Sequence, residues 1–241
     1  PIVVTERRVS ACGHGPAQGA ERSGRGLRAL LRNGCFWLIL IANGCQYFVA
    51  GALPAWLPSY FYRYYALPVD RAGQLAAVVL LLCAVGMVVW GVVCDRIMRR
   101  RPDRAPMLAA GCCLGSAAAL TLALAVPAGT AQVVLLALAA LLVGGTTGPA
   151  GAIVTSLAPV GVRATAFACV VVANNLIGLA PGPYVTGRLS DAIGLLDALR
   201  MLPLASLAAL IAFLLAGRRY PRSSAPNGVA APSGAAGAVQ P

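Results

Sequence analysis

Lysine is absent from this chain of 241 residues, histidine occurs once, and only seven residues are Asp or Glu. His14, set between two glycines, has no neighbour that a proton relay or a metal site would need. Its isolation removes Ser/His and Cys/His nucleophilic catalysis together with His-metal chemistry, and the chain is not expected to be an enzyme. The eight cysteines, Cys12, Cys35, Cys45, Cys83, Cys94, Cys112, Cys113 and Cys169, fall mostly within apolar stretches and show no Cys-x-x-Cys spacing. They read as small buried hydrophobes rather than as a metal or redox centre, so no metal and no cofactor is expected.

Charge is missing from a second place. Six stretches, Cys35–Leu57, Ala72–Val93, Pro106–Val126, Ala131–Val154, Ala164–Gly187 and Met201–Gly217, contain no Asp, Glu, Arg or His. They hold 23, 22, 21, 24, 24 and 17 residues. A helix rises about 1.5 Å per residue, so roughly 20 apolar residues cross a hydrocarbon core of about 30 Å. All six reach, the last with a turn contributed by Leu195 to Arg200. A helix in a soluble core keeps a polar face, whereas these are apolar all round, in a chain that is 59% hydrophobic. The sequence therefore describes an all-α membrane protein with six transmembrane helices.

What basic charge there is consists of arginine, and it is unevenly placed. Fifteen arginines precede span 1, lie between spans 2 and 3 or between spans 4 and 5, or follow span 6. Only Arg63, Arg71, Arg188 and Arg200 fall on the other side. Cytoplasmic loops retain positive charge, so both termini are expected in the cytoplasm, with the chain in the inner (plasma) membrane. The net charge of +12 then reports topology and contact with anionic membrane lipid, and a nucleic-acid partner is not expected. Trp37 at the start of span 1, and Tyr60, Phe61, Tyr62, Tyr64 and Tyr65 past its end, read as the two interfacial aromatic belts.

The ends are different material. Residues 1–33 are rich in Gly and Arg without apolar periodicity, and read as a basic cytoplasmic linker with no signal-peptide core. Residues 34–217 form the transmembrane domain. Residues 218–241, small and rich in Pro, Gly and Ala, cannot bury a core and are expected to be a disordered cytoplasmic tail. A chain that opens on Pro and leads through a linker into a span reads as the second part of something longer.

After span 2 comes Gly91-Val92-Val93-Cys94-Asp95-Arg96-Ile97-Met98-Arg99-Arg100. Positive-inside retention alone would place arginines there. A second pattern lies in span 5, Gly178-Leu179-Ala180-Pro181-Gly182-Pro183, followed by Gly187-Arg188-Leu189-Ser190-Asp191, and span 4 carries Gly144-Gly145-Thr146-Thr147-Gly148-Pro149. Small residues at such spacing permit close helix packing, while Pro181 and Pro183 free carbonyls and bend the helix. The first pattern resembles the loop signature of the major facilitator superfamily, with Gly91, Asp95, Arg96, Arg99 and Arg100 matching and Met98 standing where a second Gly is usual. The span 5 pattern is similar to that in the fifth helix of a half in this superfamily, and Gly-x-Leu-Ser-Asp resembles its bacterial spinster-like branch.

The resemblance implies one half of a twelve-helix major facilitator fold, helices seven to twelve, whose partner would be a missing N-terminal six-helix half. It implies alternating-access transport of a small solute between the halves, with the loop Gly91, Asp95, Arg96, Arg99 and Arg100 as a conformational switch. Polar groups inside spans face the bundle interior or a wet cavity. Asn43, Gln46 and Tyr47 share a face of span 1, Thr146 and Thr147 lie in span 4, and Asn174 and Asn175 in span 5. These seven are the candidates for the cavity wall, with hydrogen bonding between helices as the alternative reading of each. With no ionisable group in any span, a proton-coupling residue would have to sit in the other half, or transport is facilitated or by exchange. A six-helix accessory or receptor-like protein is the alternative function.

Overall fold

A computed structural model of the protein describes residues 25–223. Six long helices account for most of them: α1 (Gly34–Tyr64), α2 (Val69–Arg100), α3 (Ala105–Ala125), α4 (Thr130–Leu157), α5 (Val160–Ile193) and α6 (Leu195–Tyr220). No strand occurs among the described residues. Local chemistry sets several boundaries. The Asn33 side chain accepts from Cys35 N–H at 2.9 Å and caps α1, Pro106 opens α3 where its missing N–H costs nothing, and Gly194, at φ +93°, turns the chain from α5 into α6.

Three helices are not regular throughout. A 3₁₀ turn at Gly144–Thr146 interrupts α4. A π stretch at Asn174–Leu179 interrupts α5, just before Pro181. A short helix, Leu195–Arg200, precedes the main body of α6, which runs on as helix to Ser223. The turn that the shortest apolar span needed is thus supplied by Leu195–Arg200.

The helices alternate in direction, so residue 25, the α2–α3 and α4–α5 connections and the C-terminal end of α6 share one Arg-rich end. Central α1 packs against α6, α5 and α2, while α3 packs against α6 and α4. Two apolar clusters fill the bundle. Around Phe36, Ile39, Cys113, Ile153 and Phe213 lies the core of the Arg-rich end; around Leu57, Phe61, Leu120, Leu136 and Leu199 lies that of the opposite end.

Some of the sequence reading is amended. Residues 25–31, taken as linker, are helical, with Leu30 buried at 3% exposure beside the α4–α5 connection. Residues 218–223, taken as the start of the tail, continue α6, and the Tyr220 hydroxyl sits 2.9 Å from that of Ser156. The rest of the linker, residues 1–24, and of the tail, residues 224–241, lie outside the described residues. The aromatic group past span 1 divides, because it winds round a helix end. Tyr60 and Phe61 point into the core at 3% and 0% exposure, whereas Tyr62 and Tyr64 face outward.

Candidate functional site

Four of the seven polar candidates are enclosed within the six-helix bundle. Asn43, Gln46 and Thr146 are fully buried and Asn174 is 5% exposed. Asn43 Nδ2 donates to Asn174 Oδ1 at 2.8 Å, joining α1 to α5. Gln46 Nε2 donates to Ser116 Oγ at 2.9 Å, joining α1 to α3, and the Ser116 hydroxyl lies 3.4 Å from Ser206 Oγ on α6. Asn43 Oδ1, Gln46 Oε1 and Thr146 Oγ1 have no partner. Each keeps hydrogen-bonding capacity in a place where hydrocarbon offers none.

The other three candidates stand apart. Tyr47 and Thr147 are half-buried, with their hydroxyls 3.3 Å apart, and they bridge α1 to α4. Asn175 is exposed and turns back on its own helix, donating to Val171 O at 2.8 Å. A partly open pair, Tyr47 and Thr147, therefore adjoins a closed polar interior.

Successive helical residues lie about 100° apart, which sends Asn174 inward and Asn175 outward at the start of the π stretch. Ala180 N–H donates to Asn175 O, five residues back, at 3.0 Å. The wide turn absorbs one extra residue just before Pro181. Along the face it keeps toward α1, α5 carries Ala166, Val170, Ala173, Asn174, Gly178, Gly182 and Thr186. A methyl on Gly178 would run into the Gly44 carbonyl, and one on Gly182 would lie 2.5 Å from Phe48 O. Pro183 O accepts from Trp56 Nε1 at 3.0 Å, so the proline-rich turn is tied to α1 as well.

At the Arg-rich end, Asp95, Arg96, Arg99 and Arg100 are exposed. Asp95 and Arg99 line a cleft of about 460 Å³ with Thr155 and Ser156 of α4 and Arg163 of α5. Gly91 departs from its expected part. Its own Cβ position meets nothing, and the close approach belongs to Gly148, whose Cβ would lie 2.9 Å from Gly91 Cα. The two glycines face each other with different sides of their backbones, so α4, not α2, needs the missing side chain here.

Sequence reasoning passed over Ser116, Ser206 and Gln132, and read Tyr65 only as part of an interfacial belt. Gln132 Nε2 donates to Ala123 O and Val126 O at 2.7 and 3.1 Å, and its Oε1 accepts from the Tyr65 hydroxyl at 2.7 Å. Arg200 reaches Leu124 O at 3.4 Å. These side chains satisfy the carbonyls that α3 leaves open at its C-terminal end. The signal was available: each is a polar residue within or bordering an apolar span. Among the described residues no three of His, Cys, Asp and Glu come together as a metal site.

Six apolar helices in up-and-down order, with a polar seam and a glycine-rich crossing, define an integral membrane protein. Residues 4–183 match the Major Facilitator Superfamily, and the chain belongs to that family. No curated protein matches it. Among solved structures it is similar to a bacterial homologue of the human lysosomal transporter Spinster. In the inward-facing, unoccupied form of that protein the TM-score is 0.79 at 18% identity, over 89% of this chain and 54% of that one. For the inward-facing, occupied form the values are 0.64 and 19%, over 80% and 49%. A peptide transporter solved with alafosfalin gives 0.60 and 19%, over 75% and 37%. The chain thus spans about half the length of the structures it resembles, and its six helices are half of the superfamily fold.

Proposed function

We propose that this chain is the C-terminal half of a membrane transporter that moves a small solute by alternating access. The observation that carries the reading is the unequal finish of the bundle. Its polar groups are tied within α1, α3, α4, α5 and α6, while α2 and α5 each present a broad apolar surface and only a narrow packed seam. Such faces suit a second six-helix unit, and the solute path would run between the two.

In this reading Tyr47 and Thr147 meet the solute, because these two residues are only half-buried. Asn43, Gln46, Thr146, Asn174 and Asn175 support that wall, Asn43 and Asn174 by fixing the distance between α1 and α5. Gly178, Pro181, Gly182 and Pro183 set the bend and the close crossing of α5 on α1. The loop Gly91, Asp95, Arg96, Arg99 and Arg100 biases the rocking of one half on the other through contacts made in one state only. Both termini are placed on the cytoplasmic side of the plasma membrane, following the arginine asymmetry.

Solute flux into proteoliposomes, with and without the complementary half, tests the proposal. Flux should require both halves. Asp95→Ala should lower turnover while leaving insertion intact, and unchanged kinetics would remove Asp95 from the switch. Full flux by the 241-residue chain alone would defeat the two-half reading.

A further inference from the structure

Five arginines converge on one groove at the end of α2, and the carboxylates nearby do not neutralise them. Arg96, Arg99, Arg100, Arg101 and Arg104, with Ile97, line an open groove of about 630 Å³. The convergence is built. Arg96, Arg99 and Arg100 are three and four residues apart, on one face of the helix. Arg101 then leaves helical geometry (φ −148°, ψ 82°), and Arg104 N–H donates to Arg101 O at 3.1 Å. That turn carries Arg104 back to the same groove. Retention of loops by positive charge needs arginines on the right side of the membrane; it does not need them gathered round one space.

None of the five pairs with a carboxylate among the described residues, whereas Arg200 pairs with Asp197 at the opposite end. Asp95 shares the neighbouring cleft with Arg99 without pairing with it, and Asp103 does not line the groove. Like charges so gathered repel unless an anion lies among them. Depth decides where that anion comes from. The apolar span ends at Val93, so at about 1.5 Å per residue Arg96 lies about 4.5 Å and Arg100 about 10 Å beyond it along α2; the groove starts within the roughly 5–7 Å of headgroup region next to the hydrocarbon and opens just outside it.

We infer that this groove holds the phosphate of an anionic phospholipid headgroup, gripped by bidentate guanidinium contacts. The planar guanidinium fork matches two phosphate oxygens at once. The inference does not depend on the transport reading.

The test uses the 241-residue chain in detergent micelles, with bound lipid counted by native mass spectrometry as phosphatidylglycerol is titrated. Arg101→Gln/Arg104→Gln should weaken binding about thirtyfold, and Arg101→Lys/Arg104→Lys should fall between it and the parent. Arg63→Gln/Arg71→Gln removes equal charge from the opposite end and should change affinity less than about twofold. Helical circular dichroism confirms that all variants fold. Equal weakening by the two Gln pairs would reduce the groove to diffuse charge, and phosphatidylcholine binding as tightly as phosphatidylglycerol would remove the anion. Displacement of the lipid by inorganic phosphate at the same concentration would assign the site to a soluble anion. Each of those three results overturns the inference.

Discussion

Helices α1 and α2 are almost equal in length, at 31 and 32 residues, yet 61% of the apolar stretch of α1 is buried in the bundle against 17% for α2. The more apolar of the two is the one outside. In water the hydrophobic effect would place them the other way round; in a bilayer the tails are as apolar as leucine, and hydropathy no longer ranks positions. What draws a helix inward here is polarity and small size. Helix α1 brings Asn43, Gln46, Gly44 and Gly51 to its neighbours, whereas α2 touches them along a seam of Ala72, Ala76, Val79, Gly86 and Cys94. The remainder of α2, including Leu81 and Val88, meets whatever surrounds the bundle.

Substitutions can sharpen this contrast or break it. The largest effect belongs to the α2 seam, where a methyl on Gly86 would strike the Leu141 carbonyl. Gly86→Ala should cost about 2–3 kcal/mol in denaturant unfolding in detergent, since backbone cannot yield as a side chain does. Gly91→Ala, five residues closer to the Arg-rich end and opening into free space, should stay within about 0.5 kcal/mol. Equal losses at both glycines would dismiss the seam. A smaller effect is expected inside α1. Asn43→Leu should cost about 1 kcal/mol by stranding Asn174, and adding Asn174→Leu should restore part of it in a double-mutant cycle. Strict additivity would mean that the asparagine pair contributes nothing. The smallest belongs to the outer face of α2: Leu81→Ala, at a residue 64% exposed, should change thermal unfolding by less than about 0.5 kcal/mol. A larger loss would show that α2 is already covered, for instance by another copy of the chain.

Six spans and their approximate ends were legible because a membrane demands long uncharged runs, and the superfamily was legible through the resemblance carried by Gly91 to Arg100 and Gly178 to Asp191. Directions within the bundle were less legible. Tyr60 and Phe61 looked interfacial beside Tyr62 and Tyr64, yet one-residue steps of about 100° send neighbours to different faces. Asn174 and Asn175, adjacent in sequence, end as a buried partner of Asn43 and an exposed residue bonded to its own helix. Gln132 and Ser116 were passed over as isolated polar residues in apolar spans, although isolation in such a setting is what obliges a partner. Residues 25–31 lacked periodicity, and their helix rests on tertiary contact at Leu30, which short-range pattern does not reveal.

The wide turn at Asn174–Leu179 gives α5 one stretch whose length is negotiable. A gene that lost a single codon there, at outward-facing Leu176, would yield an ordinary α-helix with both flanks still seated on α1. The same loss elsewhere in α5 would swing the flank beyond it by about 100°, and Gly182 or Val170 would leave its neighbours. Descendants of this sequence can therefore vary in residue count at that point without unseating the helix.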